Sequence, residues 1–478
     1  MDIFHLSAEC YPVAKAGGLA DVVGSLPKYM RDMDVDARVV MPKYATDWVR
    51  EHRFETIFEG DTPLGDGQFH YKIQREKEDI LGFPLFVVDI PERFDRPGIY
   101  IDPYSGYGYW DELERYLSFQ LAALDWIHYS DEDPDLLHCH DHHTALVPFI
   151  ITNCYRYRGM EDIPTVLTVH NAEYQGVYDR GVYTLLPSFD HSNIGLLDWD
   201  GKFNCLAAGL KCCWQITTVS PNYMEELSQQ GDLSLLYHSE RHKSTGILNG
   251  IDTDVWNPKT DPYLEKNYTL KTHRKSKLKN KEALCDQFDL NFDYPLISYI
   301  GRLAREKGAD LLPDLFGHFL DSEQSVNFML LGTGDRYLHE RFNQLNSRFV
   351  GFFDAALDYN EPLAHLIYAA SDFIIMPSRV EPCGLNQMYA MRYGTVPIVR
   401  KVGGLKDTVK DIGEEGGYGI TFYDFTHHAA VDAVQRALDL YEDAKGMNSV
   451  RKTIMKLDFS WENSANKYLK LYRELIND

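Results

Sequence analysis

Basic residues are scarce in this chain. It carries 48 Lys and Arg against 72 Asp and Glu, a formal net charge of −24. Such a surface repels nucleic acid and anionic membrane wherever it lacks a local basic patch, so neither is an expected partner. Long hydrophobic runs are missing as well. No stretch approaches the roughly 18 uncharged apolar residues that cross a bilayer. The N-terminus, MDIFHLSAE, has Asp2 and Glu9 and no basic start, so no secretion signal is expected. The eight cysteines are scattered apart from the adjacent Cys212 and Cys213, and no CxxC pattern occurs. These features predict reduced thiols in a cytoplasmic protein. No internal repeat or low-complexity tract is visible.

What is present is ordinary for a globular chain: 44% hydrophobic and 25% charged residues. With 478 residues, two or three domains are expected. Aromatics make up 13%, with 31 tyrosines; core packing is their main expected use and sugar stacking a lesser one.

Short apolar runs alternate with helix-length amphipathic stretches. In the first half they are Ile3–Leu6, Arg38–Met41, Leu85–Ile90, Leu136–Cys139, Val166–Val169 and Ile216–Val219. In the second half they are Leu296–Ile300, Phe328–Leu331, Phe349–Phe352, Phe373–Met376 and Val396–Val399. Runs of this length bounded by turn signals fit strands buried on both faces of a parallel sheet. The alternation with helical patterns predicts α/β doubly wound folds. The series breaks between about 221 and 290, a stretch holding Asn249-Gly250 and Pro258. The expected division is an N-terminal Rossmann-like domain over 1–248, a second over 249–457, and a C-terminal helix over 458–478 that crosses back to the first. That helix is read from Ala465, Tyr468, Leu469, Tyr472 and Leu475. The six Lys and Arg of Lys271–Lys281 read as a solvated helix face.

Ligands of open α/β sheets bind at the carboxyl ends of strands. After the first strand comes KAGGLAD, with Lys15, Gly17, Gly18 and Asp21. Its glycines allow a close backbone approach and a following helix offers free N–H groups, so it is either a phosphate loop or a tight turn. It fits neither GxGxxG nor the Walker A pattern. His138-Cys139-His140-Asp141-His142-His143 has metal-ligand residue types, but no partner cluster with zinc spacing, so no metal is expected. A polar loop touching a hydroxylated ligand fits better. His170 and Asn171 end a further strand.

In the second half, Arg302 and Lys307 of GRLAREKG are placed to clamp a diphosphate. In SRVEPCGLN, Pro382 fixes the backbone, Gly384 permits close approach, and a helix starts near Leu385. A carboxylate, Glu381, beside such an anion site calls for a hydroxyl or a developing cation, and a sugar supplies both. Lys401-Val402-Gly403-Gly404 echoes the first glycine loop. Two Rossmann-like halves with these loops suit transfer from a nucleotide-diphosphate sugar.

At these residues the chain resembles the bacterial glycogen synthase and plant starch synthase family of retaining glycosyltransferases. The matching segments are KAGGLADVVGSLP (15–27), DRPGIY (95–100), HCHDHHTALVP (138–148), TVHNAEYQG (168–176), TVSPNY (218–223), GILNGID (246–252), GRLAREKG (301–308), SRVEPCGLNQMYAMRYGTVPIVRKVGGLKDTV (378–409) and DFSW (458–461). They run nearly end to end in the family's order. The resemblance implies the GT-B arrangement, two Rossmann-like domains facing across a cleft, and elongation of an α-1,4-glucan from ADP-glucose. It implies an α-glucan acceptor, a nucleotide-sugar donor that is a substrate, and no cofactor.

By the same resemblance, Lys15, Gly17 and Gly18 border the donor diphosphate and sugar. Arg302 and Lys307 neutralise the leaving phosphate. His170 lies near the anomeric centre with Asn171 on the sugar, and Glu381 holds a glucose hydroxyl. Cys383, Gly384, Leu385 and Asn386 give backbone N–H groups to sugar and phosphate. Asn249 touches the sugar, and Asp21 and Asp141 lie on the acceptor side, with Asp141 also placed in the catalytic set. The adenine lies against Gly351-Phe352-Phe353. The chain departs from the family at His142, where Trp is usual, at Asn386, where Thr is frequent, and near Phe352, where Tyr is usual. Alternatives open at this point are UDP-glucose as donor, a small acceptor, or a non-catalytic glucan-binding homologue. The last would be expected to lose Lys15, Glu381 or the Arg302/Lys307 pair, and all four are present.

Overall fold

A computed structural model describes residues 1–322 and 324–477. The chain folds into two compact units. The first takes Met1–Val219, Met224–Leu248 and the last helix, Trp461–Asn477; the second takes Ser220–Tyr223 and Asn249–Ser460. The expected end segment therefore divides: residues 458–460 belong to the second unit and the helix to the first.

The first unit holds strands β1 (Asp2–Leu6), β2 (Asp36–Pro42), β3 (Phe54–Leu64), β4 (Gly67–Glu76), β5 (Leu85–Asp89), β6 (Leu136–His140) and β7 (Thr165–Val169). It continues with β8 (Val177–Tyr178), β9 (Asp198–Trp199), β10 (Lys202–Asn204), β11 (Gln215–Thr218) and β12 (Ser244–Gly246). Nine of them form one sheet in the order β12-β11-β7-β6-β1-β2-β5-β4-β3, and β8, β10 and β9 make a small second one. The pairs from β12 through β5 are parallel; β4 is antiparallel to both β5 and β3. The β3–β4 hairpin was not expected. It is amphipathic rather than uniformly apolar, turning at Gly65-Asp66 with Gly65 at φ +58°.

Helix Gly18–Arg31 buries Leu19, Val22, Val23, Leu26 and Met30, a helical stripe that packs on the sheet beside β2. The last helix buries Trp461, Ala465, Tyr468, Leu469 and Tyr472 and packs on Gly18–Arg31. Its Tyr472 hydroxyl reaches the buried His138 Nδ1 at 2.6 Å.

The second unit holds β13 (Leu296–Ile300), β14 (Asn327–Leu331), β15 (Phe353–Ala356), β16 (Phe373–Met376), β17 (Val396–Arg400) and β18 (Ile420–Phe422). They are all parallel, in the order β15-β14-β13-β16-β17-β18. Numbered within the unit this is 3-2-1-4-5-6, the doubly wound Rossmann order. The expected strand Phe349–Phe352 is corrected: residue 349 caps helix Arg336–Arg348, and the strand begins at Phe353. An aromatic run ending a helix has the same local composition as a buried strand.

The basic stretch is also corrected. It lies in helix His273–Gln287, and two of its cations are inside. Lys277 donates to the carbonyls of Ala369 (2.8 Å) and Tyr393 (3.1 Å) and to Thr395 Oγ1 (2.9 Å). Burial holds its pKa well below the usual lysine range. Lys281 pairs with the buried Asp372 at 3.0 Å. Arg274, Lys275 and Lys279 are the solvated face. No helix among the described residues is long and apolar enough to cross a membrane.

Candidate active site

In the second unit the strand order reverses between β13 and β16, which marks the ligand crevice of a doubly wound sheet. The loops leaving these two strands carry Arg302, Lys307 and Glu381. Lys307 Nζ lies 2.7 Å from Glu381 Oε1, and Ser378 Oγ donates to Glu381 Oε2 at 2.9 Å. Glu381 is buried, so its carboxylate is held from both sides. The N–H groups of Arg379 and Val380 donate to the Glu306 carbonyl at 2.8 and 3.2 Å. Gly308, at φ +68°, lets the first loop close on the second: a Cβ there would stand 2.1 Å from the Pro377 carbonyl oxygen. Arg302 is more open, and its Nη2 rests 2.7 Å from Glu306 Oε1.

Beyond Glu381 the backbone turns through Cys383 and Gly384 (φ +72°) into helix Asn386–Arg392. The N–H groups of Gly384, Leu385 and Asn386 have no acceptor among the described residues. They stand at the end of the loop that carries Glu381, which suits an anionic or polyhydroxyl ligand. The Asn386 carboxamide is occupied, donating to the Ile300 carbonyl at 2.7 Å, so this residue braces the end of β13. Asn249 is buried with its side-chain oxygen unpartnered. An unmet acceptor at that depth is a place for a ligand hydroxyl.

The two glycine pairs differ. A Cβ on Gly17 or Gly18 would meet nothing within 4 Å. A Cβ on Gly403 would stand 2.0 Å from the Glu381 carbonyl oxygen, and one on Gly404 2.0 Å from that of Cys383. The first pair leaves room for a ligand. The second is corrected from an anion loop to a packing device that lets helix Gly403–Thr408 abut the Glu381 turn.

Phe352 is displaced from the group expected around it. It precedes β15, at the amino edge of the sheet, whereas Arg302, Lys307 and Glu381 follow the carboxyl ends of β13 and β16. Its ring stacks near Tyr294, with centroids 5.9 Å apart. The aromatic that follows β15 on the carboxyl edge is Tyr359, 74% exposed, its hydroxyl 2.9 Å from Glu361 Oε2. Sequence reasoning missed it because the strand was set four residues early.

In the first unit the order reverses between β1 and β6. The loop after β1 carries Lys15, Gly17 and Gly18, and it contains a second residue that the sequence reading passed over. Glu9, buried, accepts from the N–H groups of Ala16 (2.5 Å) and Gly17 (2.8 Å), and Tyr100 donates to its other oxygen at 2.7 Å. Burial pushes the Glu9 pKa above the ordinary glutamate range, against these hydrogen bonds. Lys15 Nζ pairs with Asp21 Oδ1 at 2.7 Å. Asp21 thus holds the lysine head in place.

Asp141, at φ +57°, follows β6. Its Oδ1 accepts from the His170 N–H at 2.7 Å and, more weakly, from Asn171 at 3.5 Å. It ties the loop after β6 to the loop after β7. Burial lifts its pKa from 3.8 to about 7.

His170, His140 and His5 form a buried row. His170 Nε2 is 3.0 Å from His140 Nδ1, and His140 Nε2 is 3.1 Å from His5 Nδ1. His5 Nε2 is buried without a partner. An orphaned bare nitrogen costs less than an orphaned buried N–H. The network therefore assigns protons so that His5 Nδ1 donates to His140, and His140 Nδ1 donates to His170. His170 then carries its proton on Nδ1. Burial lowers its pKa to about 3, so it is a neutral imidazole at physiological pH.

Among the described residues two groups bring candidate metal ligands together: His5, His138 and His140, and Glu112, His142 and His143. In the first, His138 is engaged at both nitrogens, by Tyr472 and Thr168, and His140 at both by its neighbours. In the second, His142 Nε2 is 3.6 Å from Glu112 Oε1, and Nδ1 of both histidines is unpartnered.

The starch synthase catalytic domain model matches residues 2–236, and the glycosyl transferases group 1 model matches residues 280–452. The chain is 46% identical to a glycogen synthase of Flavobacterium johnsoniae, covering 100% of this chain and 99% of that one. It is 37% identical to a glycogen synthase of Geobacillus thermodenitrificans, covering 100% and 98%. Among solved structures it is similar to the catalytic domain of starch synthase IV from Arabidopsis thaliana bound to ADP and acarbose. That match has a TM-score of 0.87 and 31% identity, covering 100% and 99%. Two Rossmann-type sheets, the motifs at both switch points and full-length likeness to these enzymes place the chain in the glycogen and starch synthase family of GT-B glycosyltransferases.

Proposed function

We propose that the chain is a retaining glucosyltransferase that elongates an α-1,4-glucan from ADP-glucose. The observation that carries the site assignment is the pair of half-buried Lys307 with buried Glu381 at the switch point, followed by three N–H groups without acceptors. The N–H groups, Arg302 and Lys307 meet the diphosphate, and Glu381 and Asn249 meet glucose hydroxyls. Tyr359, on the same sheet edge, takes the base in place of Phe352. Lys15, Gly17, Gly18, His170 and Asn171 of the first unit take the roles that the family resemblance assigns. ADP in the starch synthase IV structure supports the donor class.

The chemistry is a front-face displacement. The anomeric C–O bond to the distal phosphate breaks, and the acceptor 4-hydroxyl oxygen bonds to the same face. Its proton passes to the departing phosphate oxygen. Charge on that phosphate grows as the bond breaks, so cations aimed at it favour the transition state over the bound donor, each by about 3–4 kcal/mol. His170, neutral, contributes a hydrogen bond and no charge. No metal or other cofactor is required, because side chains and N–H groups supply the counter-charge. The reading extends to the cytoplasm as location, supported by eight unpaired cysteines.

The test is incubation with glycogen and radiolabelled ADP-glucose or UDP-glucose, with EDTA and no added metal. Incorporation favouring ADP-glucose in kcat/KM is expected. Preference for UDP-glucose would overturn the donor assignment. Loss on chelation, restored by a divalent ion, would overturn metal independence and direct attention to Glu112, His142 and His143.

A further inference from the structure

The segment joining β5 to helix Glu112–Tyr129 ends in a small hairpin that presents bare aromatic rings. Tyr104 and Trp110 are each 89% exposed, the highest values among large apolar side chains of the described residues, and Tyr107 is 77% exposed. Single exposed apolar residues are normal, but three within seven residues are not.

The hairpin is built rather than loose. Ile101 bridges Gly108, the Asp102 N–H donates to the Tyr107 carbonyl at 2.9 Å, and the Gly106 N–H donates to the Asp102 carbonyl at 2.8 Å. The Tyr104 N–H donates to Asp102 Oδ1 at 2.9 Å, and Gly106 sits at φ +75° to make the turn. Its base is bolted down. Arg96 makes a two-pronged pair with Asp111, 2.7 Å on each side, and the buried Arg115 guanidinium lies 4.5 Å from the centre of the Tyr109 ring. Tyr109 donates to the Pro97 carbonyl. One tyrosine is thus spent on anchorage while its three neighbours are held outward.

The stem is continuous with the candidate site. Tyr100, immediately before the hairpin, donates to Glu9, whose carboxylate shapes the Ala16-Gly17 turn. Residues 100–110 contain no Lys or Arg; Asp102 lies in the hairpin, and Glu112 and Glu114 follow its base in the first turn of the next helix. That excludes a phosphate-bearing ligand and disfavours an anionic lipid surface. It suits a neutral chain of pyranose rings, whose C–H faces lie on aromatic faces and whose hydroxyls meet phenol and carboxylate oxygens. Tyr and Trp offer such area with little rotamer freedom to lose.

We infer that the 101–110 hairpin is a secondary α-glucan-binding site, with Tyr104, Tyr107 and Trp110 holding the polymer at a stretch away from its reacting end. This rests on the glucan-elongating function proposed above and adds a second point of attachment to it. Two points on one polymer raise the effective concentration of chain ends. Removing one therefore weakens long acceptors far more than short ones.

The experiment compares the wild type with Tyr104→Ala/Tyr107→Ala/Trp110→Ala and with Trp110→Phe. Retardation in native gels containing glycogen is measured alongside KM for glycogen and for maltotetraose. The triple variant is expected to need about tenfold more glycogen for half-retardation, with KM rising for glycogen and little for maltotetraose. Trp110→Phe keeps a ring and is expected to stay near wild type. Wild-type retardation by the triple variant overturns the proposal. An equal loss on both acceptors also overturns it, since the hairpin then acts at the reacting end. A wild type that elongates no glucan refutes the proposed function instead, and is told apart by that control.

Discussion

Lys307 Nζ and Glu381 Oε1 lie 2.7 Å apart, so the cation assigned to the leaving phosphate is already paired with the carboxylate assigned to the sugar. The pair poises both groups: Lys307 is held toward the crevice, and Glu381 is kept from being a buried, uncompensated charge. In the proposed reaction an arriving diphosphate competes for the lysine while a glucose hydroxyl takes its place on Glu381.

Arg302 has a looser partner, and this separates the two cations experimentally. Replacing either Arg302 or Lys307 by Ala is expected to lower kcat by roughly 10²-fold or more, with a smaller effect on donor KM. Their stability effects diverge. Lys307→Ala strands Glu381 and is expected to cost about 2 kcal/mol in thermal or chemical unfolding. Arg302→Ala breaks an ion pair whose arginine is 61% exposed and is expected to cost less than about 1 kcal/mol. Lys307→Ala combined with Glu381→Gln should destabilise less than the two single losses added together, since the partners touch. A kcat left intact in Arg302→Ala, with donor KM alone raised, would make Arg302 a ground-state binding residue.

Most of the sheet was legible because its strands are uniformly apolar and short. The runs at Leu296–Ile300 and Phe373–Met376 are strands over those same residues. The β3–β4 hairpin escaped because one of its faces is solvated, so it shows alternation rather than a run. At the site, Gly17-Gly18 and Gly403-Gly404 look alike in sequence, and only the space before each Cβ separates ligand loop from packing device. Glu9 was invisible for a related reason: nothing in SAEC announces that the glutamate will accept from the N–H groups of Ala16 and Gly17, seven and eight residues later, just before a helix start. The interior positions of Lys277 and Lys281 were hidden because four of the six basic residues in the stretch are exposed.

The base end of the donor site gives a second prediction. Tyr359→Ala is expected to raise donor KM several-fold for ADP-glucose, because stacked base contact is typically about 1–3 kcal/mol. Phe352→Ala, on the opposite sheet edge, is expected to leave donor KM unchanged. Steady-state kinetics at saturating glycogen checks both. Reversal of the two results would return the adenine to the Gly351–Phe353 turn.

Asp141 gives a pH-dependent prediction. Its pKa rises from 3.8 to about 7 on folding, with burial as the main cause. Between those values the folded chain keeps a proton that the unfolded chain has released, so this group's contribution to stability falls as pH rises through the window. Asp141→Asn keeps an oxygen for the His170 N–H and cannot ionise. The variant's Tm minus the wild-type Tm should therefore grow more positive from about pH 5 to about pH 8. A difference that is flat with pH, or that shrinks, would mean that Asp141 is ionised throughout.

The row His5–His140–His170 gives the last prediction. None of the three needs a charge: burial lowers the pKa of His5 and His170 to about 3 and that of His140 well below its usual range. What the row controls is which nitrogen carries the proton. His5 Nδ1–H pins the His140 proton on Nδ1, and that proton in turn pins the His170 proton on its own Nδ1, the nitrogen not engaged by His140. A transferring sugar needs His170 in one tautomer, so the fraction in the wrong one is lost to catalysis. His5→Phe keeps an aromatic ring in a closed core and removes the donor at the head of the row. Its kcat is expected to fall about tenfold, the equivalent of one orienting hydrogen bond of roughly 1.4 kcal/mol, with donor KM little changed. His5→Asn places an amide N–H near the lost Nδ1 and should restore part of the rate. A merely structural role would move Tm and both kinetic constants together, so the deciding measurement is the nitrogen-15 shift of His170. It should report protonation at Nδ1 in the wild type and a mixture of tautomers in His5→Phe. Protonation at Nε2 in the wild type would reverse the direction of the row and remove His5 from any part in setting it.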